Sequence, residues 1–488
     1  MLTLCDVGII DMLPDEVLLT VFDFCVPDEL LKSKQEIEEW QTLVHVCQRW
    51  RSLVFGSPRR LNLRLVFRPT TPAKETLDVW PPLRLHIHCS DFHTTETVDN
   101  IIAVLERSDR VCYIAISLPS LEKVSTAMQK SFPELTGLVL SSRDEMAPVV
   151  PDSFLGGSAP RLKFLLLHRI PFPGLPKLLL STTHLDYLYL EDIPHSGYIS
   201  PDAMATALST LINLRRLALE FQSPRSHPDL ASRRPPPQTR LVLPSLTYFQ
   251  FKGVTDYFDD LVTRIDTPLL GMLQIVFFNQ IIFDTPQFIQ FISRTPKLKV
   301  LEQAHIIFET RAAGIRLIST SGHAEFCVKI PCEKLDWQVS SLEQVCSSCL
   351  PPLSMLEDLY IYQNTIPQIA TTDSLVSAEH DIGNTLDNIE NTLWLELLHP
   401  FTAVKNFHLS KQFAPHIMLA LQELDGGGTT EVLPTLQNIC LEDFQQSGPV
   451  HEAVGQFVAM RQVTSHDIAV SRWDNLSQDK LRLDTSYM

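Results

Sequence analysis

One unit, Pro-x-Leu-x-x-Leu-x-Leu, recurs along this chain and constrains its fold more than any other feature. It occupies residues 133–140, 160–167, 244–251, 268–275 and 434–441. Without the proline it returns at 184–190, 213–219, 356–361 and 404–409, and more weakly at 111–116. Residues 296–301 begin the pattern and lose it. The first apolar positions, Val111, Leu135, Leu162, Leu185, Leu214, Leu246, Leu270 and Leu298, lie 24, 27, 23, 29, 32, 24 and 28 residues apart. The next step, to Leu356, is 58 residues, room for two repeats with one degenerate copy between them. Leu-x-Leu places two side chains on one face of a strand, and the leucine three residues earlier fills the turn beneath. A buried leucine contributes roughly 1.5–3 kcal/mol, but a lone repeat has nothing to bury it against, so the units must stack.

The expected architecture is therefore α/β, with parallel strands inside and helices outside. Helical periodicity falls between the strands at residues 97–107, 121–131, 201–210, 286–294 and 385–398. A chain of 488 residues exceeds one ordinary core, which again favours an array. The unit resembles a leucine-rich repeat in irregular form, since no recurring Asn or Cys marks the usual turn position. The resemblance implies a solenoid over residues 59–462 that presents a large surface to a partner protein. Residues 223–244 interrupt it with Pro235, Pro236 and Pro237 and with Arg225, Arg233, Arg234 and Arg240, and read as an exposed, stiff loop. Residues 463–488 read as a polar tail or cap, and 1–11 as an N-terminal extension.

Residues 12–26 differ from the rest. Pro14 suits a first helical position, and Asp15 and Glu16 suit a helix N-terminus. Leu13, Val17, Val21 and Phe24 then recur at three- and four-residue steps, widened by Leu18 and Phe22, giving more apolar surface than a small domain buries. A second helix is expected from a capping box at Ser33 and Glu36, with Ile37, Trp40, Val44 and Cys47 on one face. The opening Leu13-Pro14-Asp15-Glu16-Val17-Leu18 and the closing Val46-Cys47-Gln48-Arg49-Trp50-Arg51 resemble an F-box, over residues 12–58. Residues 55–58 resemble the tail of fungal members of that family, whereas the acidic segment 28–39 is longer than its usual link. The resemblance implies docking to the Skp adaptor of a cullin–RING ubiquitin ligase. The implied adaptor-binding residues are Leu13, Pro14, Val17, Leu18, Val21, Phe22, Val46, Cys47 and Trp50.

Charge and motifs narrow the alternatives. A net charge of −17 argues against nucleic-acid binding. The absence of any run of 18 apolar residues argues against a membrane span, and ten irregularly spaced cysteines fit a cytoplasmic or nuclear setting. No nucleotide-binding, hydrolase or kinase motif occurs, so no catalytic residue and no cofactor is assigned. The glycines at 426–428 lack the Lys-Ser or Lys-Thr of a phosphate loop. Cys327, Cys332, Cys346 and Cys349 have a spacing that zinc does not forbid, but a strand at 327–330 and a helix at 340–349 make them structural cysteines by preference. His86 and His88 share one face of a strand and read as solvent-facing. The sequence thus points to a non-catalytic substrate receptor of a Skp–cullin–F-box ligase. An F-box scaffold without ubiquitination activity is the alternative, and a zinc domain around the cysteines a more distant one.

Overall fold

The computed structural model describes residues 12–25, 40–58, 60–69, 71–90, 95–118, 122–144, 147–224, 239–278, 286–322, 324–348, 353–364, 389–423, 432–442, 449–463 and 467–473. They fall into two compact units, Met1–Tyr198 and Ile199–Met488. The Ser33–Glu36 capping box, most of the Pro/Arg-rich segment, Cys349, the glycine loop and the ends of the chain lie outside the described residues.

The first unit opens with three helices, α1 (Asp15–Cys25), α2 (Trp40–Val44) and α3 (Gln48–Gly56). Six strands follow: β1 (Arg64–Phe67), β2 (Arg84–Ser90), β3 (Val111–Leu118), β4 (Gly137–Ser142), β5 (Phe164–His168) and β6 (Tyr187–Ile193). They lie side by side in chain order and pair in parallel. Helices Ala73–Val79, Thr95–Leu105, Glu122–Ala127 and Leu175–Leu179 occupy connections between them. The Leu-x-Leu side chains are buried in every copy, as the period-two reading requires: Leu138 and Leu140, Leu165 and Leu167, Leu188 and Leu190. The alternate positions form the opposite, inner face.

The leading leucine of each repeat closes a turn. The N–H groups of Leu135, Leu162, Leu185, Leu214, Leu246, Leu270, Leu298, Leu356 and Leu436 each donate to the carbonyl three residues earlier, at 3.1–3.4 Å. The recurrent proline sits second in this four-residue turn, where its fixed φ is already correct. The residue before it is buried as well, as at Phe132, Ala159, Leu243, Thr267, Thr295 and Leu433. The true unit therefore begins one residue before the proline, at a position the pattern did not include because leucine, alanine, threonine and phenylalanine all fill it.

The second unit holds β7 (Arg216–Phe221), β8 (Leu241–Val242), β9 (Tyr248–Gly253), β10 (Ile265–Asp266), β11 (Met272–Phe277), β12 (Gln303–Glu309), β13 (Ala312–Ile318), β14 (Glu325–Pro331), β15 (Asp358–Gln363), β16 (Asn406–Leu409), β17 (Asn438–Glu442) and β18 (Ala469–Trp473). Its main sheet has the order β7-β9-β11-β14-β13-β12-β15-β16-β17-β18, with β8 and β10 paired separately. Helices Pro201–Leu208, Thr255–Arg264, Pro286–Arg294, Leu335–Ser348, Asn391–Leu398, Ala414–Gln422 and Pro449–Val463 complete it. Arg264, almost fully buried, bridges two of them through Asp202 and Asp260, each at 3.0 Å.

Three expectations need correction here. The degenerate parallel repeat expected between Leu298 and Leu356 is an antiparallel meander, β12-β13-β14. Leu298 still closes its turn, but the strand starts at Gln303, so its buried set shifts by one to Ala304, Ile306 and Phe308. Three strands are an odd number, so β14 still pairs parallel with β11 and β12 parallel with β15, and the array keeps its direction. Next, Cys47 does not continue a helix with Trp40 and Val44. The chain turns at His45–Val46, and Cys47 caps α3, its Sγ accepting from the Trp50 N–H at 3.5 Å. Finally, the described end of the Pro/Arg-rich segment is not an exposed loop. Leu241–Val242 pairs with β10, Arg240 Nε donates to the Thr263 carbonyl and Leu243 is buried.

Candidate docking surfaces

The N-terminal helices present two apolar faces of different fate. Leu18, Leu19 and Phe22 turn inward, and the Phe22 ring meets Trp50 of α3 at 4.7 Å. Arg49 fixes the start of α1: it donates to Asp15 Oδ1 and to the Leu13 carbonyl, each at 2.6 Å. On the other face Val17, Val21 and Phe24 follow at helical spacing, and Phe24 is 88% exposed. Met12 lies exposed just before α1, and Val46 on the turn between α2 and α3.

Of the nine residues singled out from the sequence, Pro14, Val17, Val21 and Val46 are exposed. Leu13, Cys47 and Trp50 are half-buried, and Leu18 and Phe22 form the interior of the module. Met12 and Phe24 were not among the nine, although Phe24 already belonged to the apolar stripe. The module is also joined firmly to the first strand. Trp40 is buried and its indole N–H donates to the Arg64 carbonyl at 3.1 Å, while the Trp40, Phe55 and Trp80 rings pack at 5.5–6.3 Å.

The inner faces of the two units carry the polar chemistry. In the first unit, the His86 and His88 rings both stack on Tyr113, at 5.6 and 5.2 Å. His86 is buried, contrary to the solvent-facing expectation, because Tyr113 lies over it from the next strand. Tyr113 can lie flat because its neighbour in register is Gly137, where a Cβ would stand 2.4 Å from the ring. Burial first, then the charges of Arg64, His88 and Arg84, hold the His86 pKa well below the usual imidazole range.

Ser141, His168 and Asp192 stand one repeat apart on neighbouring strands, a grouping that spacing alone conceals. Ser141 Oγ lies 3.1 Å from His168 Nδ1, but His168 Nε2 is 3.6 Å from Asp192, beyond hydrogen-bond reach. His168 and Asp192 are each about one-third exposed, so this is a surface network open to water.

In the second unit, the rings of His305, Tyr360 and His408 stack across three adjacent strands, at 4.4 and 4.1 Å. Trp473 stands across the stack, 5.8 Å from Tyr360, 6.4 Å from Tyr362 and 5.6 Å from His408, with planes inclined by 59–72°. Burial, then Arg316 and His408, lower the His305 pKa to about 3. Burial also lowers that of His408, against the opposing pull of Asp358. Burial, then Asp358 and Cys440, raise the Tyr360 phenol to about 12. A polar row runs beside the rings: Gln303 and Asn406 donate to Asp358, and Asn438 donates to Asn406.

The described cysteines of the candidate zinc group do not converge. Cys327 points to the inner face beside Arg316 and Glu325, and burial pushes its thiol up to about 12. Cys346 lies on the buried side of helix Leu335–Ser348. Among the described residues no group of three or more metal-ligating side chains occurs, and no helix is long and apolar enough to cross a membrane.

No family model matches the chain, and no curated protein sequence is significantly similar to it. One of the similar solved structures is the leucine-rich repeat-containing protein LegL7 from Legionella pneumophila. It is 11% identical, over 80% of this chain and 97% of that one, with a TM-score of 0.23. That likeness is too slight to transfer anything to this chain. The chain has an α/β fold of stacked strand-and-helix repeats, mainly parallel, preceded by three short helices.

Proposed function

We propose that this protein is the substrate-recognition subunit of a Skp–cullin–F-box ubiquitin ligase. The observation that carries this reading is the exposed apolar stripe Val17–Val21–Phe24, together with the exposed Val46 on the turn before α3, on a helical module whose sequence resembles an F-box. An aliphatic and aromatic stripe on a short helix is what a hydrophobic groove of a partner accepts. In this reading Leu13, Pro14, Val17, Val21, Val46, Cys47 and Trp50 face the adaptor, while Leu18 and Phe22 set the angle between α1 and α3. The repeats hold a target protein. The rate of ubiquitin transfer then rises by proximity, and side chains of this chain do no chemistry. The packing of Trp40, Phe55 and Trp80 supports the reading, because it joins the helical module firmly to the start of the repeats.

The test is co-purification of the full chain with the Skp adaptor, wild type beside Val17→Asp/Val21→Asp. Both positions are exposed, so the variant is expected to keep its thermal transition while adaptor binding falls at least thirtyfold. Folded wild type that fails to bind the adaptor overturns the proposal.

A further inference from the structure

The inner face of β12 and β15 to β18 is where the second unit departs most from an ordinary sheet surface. Its inner positions carry Asp358 and Glu442, while Glu309 is paired with Lys329, and Arg316, beside His305 on β13, is paired with Glu325. The imidazoles there, His305 and His408, do not supply positive charge near neutral pH. Trp473 meets Tyr360, Tyr362 and His408 at steep angles, so the rings form a corner with π faces on two sides. The negative face of an aromatic ring attracts a cation, and several rings around one position add their effects. Asp358 lies two residues from Tyr360 on the same face, and Glu442 is the register partner of Trp473. Beneath the rings, both ring nitrogens of His305, Nδ1 of His408 and Oγ of Ser410 are buried without a hydrogen-bond partner. His305 is only 4% exposed and Ser410 only 2%. Native structures leave few buried polar atoms unpaired.

We infer that this aromatic corner, Tyr360, Tyr362, His408 and Trp473, is the docking point for a basic segment of a partner protein, one of whose Lys or Arg side chains seats against the rings. The partner's charge is set by the carboxylates flanking the corner, Asp358 and Glu442. The inference rests on the reading of the repeats as the target-binding part of the protein, and names the chemistry of that target.

A fluorescein-labelled octalysine peptide, titrated with the full chain and followed by anisotropy, tests it, with octaglutamate as the opposite-charge probe. Wild type is expected to bind octalysine and not octaglutamate. Trp473→Ala should weaken binding about tenfold, the loss of one desolvated cation–π contact, and Trp473→Phe, which keeps a ring, by no more than about threefold. Asp358→Asn/Glu442→Gln should weaken it well beyond Glu396→Gln, a control on the helical side that also removes a carboxylate. Equal affinity of wild type and folded Trp473→Ala, or octaglutamate binding as well as octalysine, overturns the inference. So does a paired carboxylate variant no weaker than the Glu396 control. Adaptor co-purification is read on the same Trp473 variants. Failure of adaptor binding in wild type sinks the ligase reading without touching the corner, and loss of octalysine binding alone sinks the corner without touching the ligase reading.

Discussion

The two inner faces use the same rings in opposite electrostatic settings. In the first unit His86, Tyr113 and His88 stack beside Arg64 and Arg84. In the second, His305, Tyr360 and His408 stack beside Asp358, and the basic residue next to His305 on that face, Arg316 of β13, is paired with Glu325. In each stack a tyrosine meets two imidazoles, Tyr113 on one side and Tyr360 on both, and in each burial keeps an imidazole neutral. The neighbours differ, and they decide what each face attracts. A ladder of rings supplies area and rigidity, whereas charge at its rim selects the partner. The comparison also shows how each tyrosine is seated: Tyr113 needs a missing side chain at Gly137, while Tyr360 is clasped between rings on both sides.

The comparison can be broken most forcefully at His305. The unfolded chain takes up this proton near pH 6.5, the folded protein only at about 3. Stability contributed by the neutral ring is therefore full above pH 6.5 and is lost as the pH falls from 6.5 towards 3. Urea midpoints should show a loss of about 2 kcal/mol between pH 7 and 5 from this group, and His305→Gln should flatten that part of the profile. An unchanged profile in the variant would mean that the ring is not held neutral by the fold.

A smaller effect is expected at the seat of the other stack. Gly137→Ala places a methyl against the Tyr113 ring and should cost about 1 kcal/mol or somewhat more. In a Tyr113→Ala background the same substitution should cost less, because the clash is gone. Additive urea midpoints for the two changes would show that Tyr113 does not depend on this glycine. The smallest effect sharpens the electrostatic side of the comparison. Asp358→Asn removes the carboxylate that favours the charged form of His408, so the His408 titration, followed by NMR, should move further down. An upward move would assign the opposing charge elsewhere.

The strands were legible because two independent signals coincide in each repeat. The Leu-x-Leu pair marks the buried face, and the proline marks the turn that the leading leucine closes. Where one signal failed, so did the reading. Residues 296–301 keep the turn but shift the strand phase, and the meander that follows has no leucine period to announce it. At the N-terminus the apolar stripe was visible as a stripe, but its division between interior and surface was not. Leu18 and Val17 are adjacent and chemically alike, and only the position of α3 and its Trp50 decides which is buried. Ten cysteines and sixteen histidines offered many pairings by spacing, and the sheet separates Cys327 from Cys346 while joining His305 to His408.

The repeat, its strand phase and the need to stack are legible in the residues alone, since alternation along a strand and a proline-initiated turn are local properties of a few residues. Which side chains share an inner face across repeats emerges only from the assembled sheet. His305, Tyr360, His408 and Trp473 lie 55, 48 and 65 residues apart. The parallel register aligns His305, Tyr360 and His408 strand to strand, and Trp473 reaches them from one inner position further along β18, opposite Glu442; that register depends on the length and packing of every connection between them.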